Sequence, residues 1–462
     1  MADVGGLCSH LCFFLLMTMW LYITPLCGGH LKPDGESDKS ADVINDSERL
    51  MVQLEALLQQ GNSSDVSLRV ETTDSDDMKV IQVHSLILSL QSQTFHELLE
   101  KRNSSTVVLR ETAQSIGVFD KFIRYLYCGE LLLCLEEATA LHELATKYSV
   151  SALRRGLIEY MNRNLASALR GGHLVHWYEY ATAHGDEHLG ASCLQFLSRN
   201  VSLVLRSQQW RSLGTELLTA LLKRSDLVVY SELELFKALE SWIVYNQPDA
   251  LTAENILRSV RYAMIAPREL FRLQRESPVL TRYHESVRDL LYMAYQFHAA
   301  PPPQLAKFFD VNCSLFIPRN YLAPAWGTAW LINSPARDDR TAVFNTQLGP
   351  SAHDVGKRVT WNALFSPRAR TDGHPRIVIT PATSSPDFAG VVFQKTVIVC
   401  SRKQGELVVQ RVFNFHQSTD ENGDFLTDED LDARASGYLV DGWLHLHVIV
   451  KPLYQSLLST KK

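Results

Sequence analysis

A run of three prolines, APPPQ at residues 300–304, divides this chain into two stretches that cannot share one kind of secondary structure. Proline lacks the amide hydrogen a helix needs and clashes with the turn before it. The apolar-periodic segment HESVRDLLYMAYQFHA (residues 284–299) therefore stops there. Upstream, residues 151–299 read as nearly all helix. Downstream, VTWNALF, RIVIT, GVVFQKTVIVC, ELVVQRVFNFH and YLVDGWLHLHVIVK alternate with a period of about two, separated by Gly, Pro, Asp and Ser. The expectation is an all-α region over 151–299, a boundary at 300–304, a β-rich, sandwich-like domain over 305–455 and a tail at 456–462.

The first half is more mixed. In residues 47–60, Leu50, Leu54, Leu57 and Leu58 form one helical stripe, with Asp46 or Ser47 as cap and Gly61 as stop. Val66, Leu68 and Val70 alternate as in a strand, and residues 79–84 read as its hairpin partner. Residues 85–101 read as one helix, 107–109 as a short strand, and 118–131 and 136–148 as amphipathic helices, the former ending at Gly129. Further on, Ser231 with Glu234 forms a capping box ahead of a buried stripe, Phe236, Leu239, Trp242 and Ile243. The fold class expected for the whole is multidomain α+β.

The N-terminus bears on location. Residues 11–23 (LCFFLLMTMWLYI) are 13 uncharged residues, the length of a signal-peptide core and too short to span a bilayer. Pro25 breaks the run, and Gly28 and Gly29 follow at a cleavage position. No Lys or Arg precedes the run; a retained anchor or a buried helix are the other readings open to it. The expected layout is a signal peptide at 1–29 and a polar linker at 30–46, with no membrane span in the body. Asn-x-Ser/Thr occurs at Asn45, Asn62, Asn103, Asn200 and Asn312, where chance gives about two, so all five are candidate N-glycosylation sites on an exported chain.

Composition excludes several classes. Lys+Arg 45 against Asp+Glu 51 leaves a net charge of -6 and no basic stripe, which argues against nucleic acid as a partner. Beyond the leader, cysteines stand at 128, 134, 193, 313 and 400: an odd, sparse set without CxxC, hence no disulfide framework. Cys128 and Cys134 are one possible pair among several.

No constellation for catalysis survives inspection. His184 and His188 stand four apart, yet HExxH is absent and Gly185 intervenes, which reads as a surface loop. His445 and His447 share a strand face without a third ligand. The segment from Asp420 to Phe425 begins like an EF-hand, but Phe425 stands where glycine is required and Leu431 where glutamate is, which makes it an acidic turn. No GxSxG, GxGxxG or P-loop occurs. The expectation is a non-enzyme with no catalytic residue, cofactor or metal.

Residues 62–150 resemble a BTB/POZ domain. The resemblance is carried by Ser64-Asp65-Val66, VIQVH (80–84), SLILSLQSQTFHELL, VFDKFIRYLYCGEL and ATKYSVSAL (145–153). The helical region after it is similar to a BACK domain through CLQFLSRNVSLVL, ELLTALLKRSDLVV, ELELFKALESWI and VRYAMIAPREL. With a leader and a β-rich tail, the layout looks like the secreted, galectin-3-binding-protein-like branch of the BTB–BACK family. This resemblance sets the domains at 47–150 (BTB/POZ, α/β) and 151–299 (BACK). It implies a homo-oligomer joined through the BTB domain, where Leu50, Leu54 and Leu57 take the place of the helix that BTB dimers exchange. It also implies extracellular lectins, matrix proteins or receptors as partners. Asp65 matches the acidic residue of the family's dimer pocket, although Ser85 replaces the base that normally follows His84. The cysteine-rich domain that precedes BTB in better-known members has no counterpart in residues 30–46, so its function does not transfer. The alternative that BTB–BACK chains suggest is a cytosolic adaptor of a cullin-type ubiquitin ligase, for which Leu98-Leu99-Glu100 approximates the contact triplet.

Overall fold

The computed structural model describes residues 46–73, 77–101, 104–205, 207–305, 313–354, 356–367, 375–383, 391–403, 405–415, 425–431 and 437–454. The chain divides into two units at Ala56/Leu57. The described part of the first is the N-terminal portion of the helix Ser47–Gln60, in which no residue is buried. That helix ends at Gly61, whose φ of +63° is the left-handed conformation a terminating glycine adopts.

The second unit begins with a three-stranded sheet of order β2-β1-β3, made of β1 (Val66–Thr72), β2 (Met78–Val83) and β3 (Thr106–Glu111). β2 pairs antiparallel with β1, as the hairpin reading requires, and β3 pairs parallel. The parallel pairing needs a crossover. It is made by two helices, Ser85–Gln91 and Gln93–Glu100, not by the single helix expected. Ser92 breaks it: its backbone is extended (φ −141°, ψ 118°), its Oγ accepts from the Phe95 N–H, and it donates to the Tyr148 carbonyl. The helix Ala113–Cys128 starts earlier than its apolar periodicity suggested, because Thr112 caps it through the Ser115 N–H. It stops where Gly129 turns left-handed. The rings of Phe95 and Tyr148 stack at 4.4 Å in this core.

From Ser151 to Ala299 the chain is helical as expected, with one exception. Val228–Val229 form a short strand, β4, pairing parallel with β5 (Asn320–Tyr321) from beyond the proline run. Three buried tryptophans anchor the helices, and each indole N–H reaches a carbonyl: Trp177 to Leu135, Trp210 to Ala238 and Trp242 to Leu213. Ser231 caps its helix through the Glu234 N–H, and Phe236, Leu239, Trp242 and Ile243 are all buried.

The C-terminal region is a sandwich. One sheet has the order β11-β10-β12-β6, from β6 (Gly327–Asn333), β10 (Val391–Lys403), β11 (Glu406–Phe415) and β12 (Trp443–Tyr454). The other is β7 (Arg340–Gln347), β8 (Arg358–Ser366) and β9 (Arg376–Pro381) in that order. Their facing sides share a core that includes Trp361, Phe365, Val397, Val399, Leu446 and Val448. A Cβ on Gly327 would lie 1.8 Å from the Val448 carbonyl oxygen, so only glycine lets β6 approach β12.

The proline run ends its helix at Ala299 but does not separate two bodies. The reverse face of the four-stranded sheet, including Ile398, Val409 and Ile449, belongs to the helical core, as do Phe316, Tyr321 and Trp326. Phe297 stacks on Phe316 at 5.0 Å. Helices, four-stranded sheet and three-stranded sheet thus form three packed layers.

Candidate interaction site

On the helix Ser47–Gln60, Leu50 is 41% exposed, Leu54 and Leu57 are half-buried, and Val52 is 66% exposed. The stripe read from the sequence is a real helical face and keeps much apolar surface in water.

Asp65 stands just before β1. Its oxygens accept from the Ser85 N–H at 2.8 Å and the Ser85 Oγ at 2.5 Å. It therefore caps the helix Ser85–Gln91, whose own N-cap residue His84 supplies no side-chain bond. The family's acid–base pocket is replaced here by an acid–serine cap, because no base follows His84. His84 is locked alongside. Its N–H donates to the Tyr127 hydroxyl at 2.8 Å, its Nδ1 lies 2.9 Å from that hydroxyl and its Nε2 2.9 Å from the Asn62 carbonyl. With Tyr127 donating to Nδ1, the ring proton sits on Nε2. Burial pushes the Tyr127 hydroxyl up to about 12.

A buried polar cluster joins the BACK helices to the sandwich. Glu232 accepts from the Arg261 backbone N–H at 2.9 Å and from the Tyr321 hydroxyl at 2.6 Å, and lies 3.4 Å from Arg319 Nε. Arg319, 1% exposed, donates to the carbonyls of Arg224, Leu222 and Ser259. Arg261 donates to the Ile317 carbonyl, and Lys451 on β12 donates to the Asn320 side chain. Burial, with Arg319 beside it, lowers Arg261 to about 10; burial, with Arg261 beside it, lowers Lys451 to about 8. Sequence reasoning missed this cluster. Its bonded pairs join residues up to 131 positions apart, and no local spacing marks them.

Of the five sequons, Asn62 is exposed, and Asn45, Asn103 and Asn312 lie outside the described residues. Asn200 is 2% exposed, and both of its amide hydrogens are used, toward the Phe196 and Val409 carbonyls. A glycan there would replace one of these hydrogens.

No disulfide joins Cys128 and Cys134, so that pairing is not formed. His184 ends one helix, with Nδ1 on the Tyr180 carbonyl, while His188 starts the next. His445 and His447 lie on the β12 face toward the helices, and burial pushes His447 down to about 4. In the 98–100 triplet, Leu98 is 40% exposed and Leu99 is buried. The EF-hand-like stretch lies largely outside the described residues, except that Phe425 and Leu431 are buried.

Three family models match in chain order: a BTB/POZ domain over residues 54–165, "BTB And C-terminal Kelch" (BACK) over 174–275, and the BTBD17 TRAF domain over 316–454. The class is thus a BTB–BACK protein closed by a TRAF-type β-sandwich, a protein-interaction architecture. BTB/POZ domain-containing protein 17 of Homo sapiens is 52% identical over 452 residues, 93% of this chain and 94% of that one. The Xenopus tropicalis protein of that name is 50% identical over 452 residues, 93% and 96% of the two chains. The chain belongs to the family of BTB/POZ domain-containing protein 17. Galectin-3-binding protein of Mus musculus is 28% identical over 336 residues, 67% of this chain and 57% of that one. Nothing in these matches points to catalysis, and no helix among the described residues is long and apolar enough to cross a membrane.

Proposed function

We propose that this chain is an exported, N-glycosylated, non-enzymatic protein that homo-oligomerises through its BTB domain and presents its surfaces multivalently to extracellular partners. The observation that carries this reading is the helix Ser47–Gln60: 14 residues, a leucine stripe, and no buried residue. Apolar surface kept on a helix without burial is what an association face looks like before its partner is present. A second copy of the chain would cover Leu50, Leu54 and Leu57 isologously. The uncharged 13-residue leader and the sequons, Asn62 foremost, support export. The galectin-3-binding relatives support extracellular lectins, matrix proteins or receptors as ligands. The BACK helices are not a passive spacer in this reading. Sharing a core with the sandwich, they hold it at a fixed attitude, and several fixed copies of a weak site gain roughly 10²–10⁴ in apparent affinity.

The test is to express the full chain and assay medium and lysate with and without N-glycosidase. Light scattering of wild type and of the Leu54→Asp/Leu57→Asp double variant then follows. Protein in the medium, shifted by the enzyme, oligomeric as wild type and monomeric as the variant, supports the reading. Unshifted cytosolic protein with Met1 retained would replace it with the cullin-adaptor reading. A monomeric wild type at micromolar concentration ends the avidity mechanism.

A further inference from the structure

The geometry points to a binding site for an anionic oligosaccharide in the cleft between the BACK helices and strands β10–β11 of the sandwich. The cleft has a volume of about 520 Å³ and lies at a junction of two domains, where ligand sites concentrate. Four basic residues reach it from three elements: Arg163 from the end of one helix, His188 and Arg199 from the next long helix, and Lys403 from the end of β10. No carboxylate lines it among the described residues. Arg163 keeps Glu159 at 3.1 Å, one turn back. Arg199 has no ion pair among the described residues. Its Nη1 donates to the Gln410 carbonyl at 3.3 Å, and its buried Nε has no hydrogen-bond partner. Burial lowers its pKa, with Arg224 adding to the effect and Asp226 offsetting part of it: a cation has been drawn partly out of water without a carboxylate in direct contact among the described residues. Lys403 is exposed and also lacks an ion pair there. A smaller cleft of about 150 Å³, with Arg170 and Glu406 in its wall, adjoins through Ala166 and Lys403 and lengthens the groove.

Charge asks for sulfate or carboxylate groups. The remaining chemistry favours a sugar over a peptide as their carrier. β11 is an edge strand, the usual place for a peptide to add itself. Here the Val409 N–H and C=O are taken by Asn200, and the Gln410 carbonyl by Arg199. An incoming main chain finds those positions occupied. The half-buried Phe196 ring and the Gln410 side chain, both in the cleft wall, offer an apolar face and an amide suited to a ring bearing hydroxyls. The site stands whether or not the chain oligomerises.

The test is fluorescence anisotropy with a labelled heparin-derived hexasaccharide, on the full chain, at about 0.15 M salt. Wild type should bind it. The Arg163→Glu/Lys403→Glu double variant, changed at two exposed positions and checked for an unaltered melting midpoint, should bind at least about tenfold more weakly. Arg288→Glu, on a helix that does not line the cleft, should stay within about twofold. No binding by wild type, or equal loss in both variants, overturns the site. Equal competition by inorganic sulfate or by polyglutamate overturns the oligosaccharide assignment. Failure of the unsulfated analogue to compete supports it.

Discussion

The side-chain amide of Asn200 holds both main-chain groups of Val409, 209 residues away. Oδ1 accepts from the Val409 N–H at 2.7 Å, and Nδ2 donates to the Val409 carbonyl at 3.1 Å. One helical side chain thus does what a neighbouring strand residue would do, and closes part of the β11 edge. Both residues are buried, so the bonds are formed away from water, where an unmade bond is costly.

Asn200→Ala should therefore destabilise the protein by about 2–4 kcal/mol, two buried main-chain groups being left unsatisfied. Urea unfolding followed by tryptophan fluorescence measures it. The same geometry predicts an unglycosylated Asn200. Ser202→Ala, which removes the sequon and keeps the asparagine, should leave the mass of secreted protein unchanged. A glycan found on the Asn200 peptide would sink this account of the seam.

Glu232→Gln should cost about 3–5 kcal/mol, because Arg319 would stay buried without the carboxylate that lies 3.4 Å from its Nε. Wild type should melt the BACK helices and the sandwich in one transition, since they share a core. The variant should lower that transition. Two well-separated transitions already in wild type would contradict the shared core.

His447 sets an acid-side pH dependence. Its Nε2 is buried without a partner, and burial lowers its pKa from 6.5 to about 4. Between those values the unfolded chain binds more protons than the folded one. Stability therefore rises with pH through this window and is lost as pH falls through it, by up to about 3 kcal/mol. His447→Phe should flatten that segment of the stability–pH curve; an unchanged slope would show that other groups cause it.

Lys451 acts likewise on the alkaline side. Lowered from 10.5 to about 8, it binds fewer protons folded than unfolded between those values. Its contribution to stability rises with pH from about 8 to 10.5, and Lys451→Met should remove that rise. Calorimetric midpoints of both proteins across this range decide the matter.

Gly327→Ala should be among the most damaging single-methyl changes in the sandwich, since its Cβ meets the Val448 carbonyl oxygen at 1.8 Å. A loss of about 3 kcal/mol or more follows if β6 must move off β12. A melting midpoint within error of wild type would show that the two strands can separate freely.

Much of the fold was legible locally. The alternation of Val66, Leu68 and Val70, the left-handed stops at Gly61 and Gly129, the cap at Ser231 and the helix end at Ala299 all follow from side chains a few residues apart. The leucine stripe of residues 47–60 was legible for the same reason. Ser92 was not: apolar spacing continues across it, and only its bonds to Phe95 and Tyr148 make the break favourable.

The sequence by itself determined most of the segments that are helices and strands, the break at Ser92 and the short β4 aside, because period and capping are properties of neighbours along the chain. Val397-Ile398-Val399 and Val448-Ile449-Val450 are continuous apolar runs, as in strands covered on both faces. Only the tertiary structure decided what covers the second face. It laid the BACK helices there, paired β4 with β5, set Glu232 against Arg319 and turned Asn200 from a sequon into a strand's partner. These outcomes depend on residues roughly a hundred or more positions apart meeting in space. Burial and hydrogen bonding at such distances leave no periodic trace in either segment.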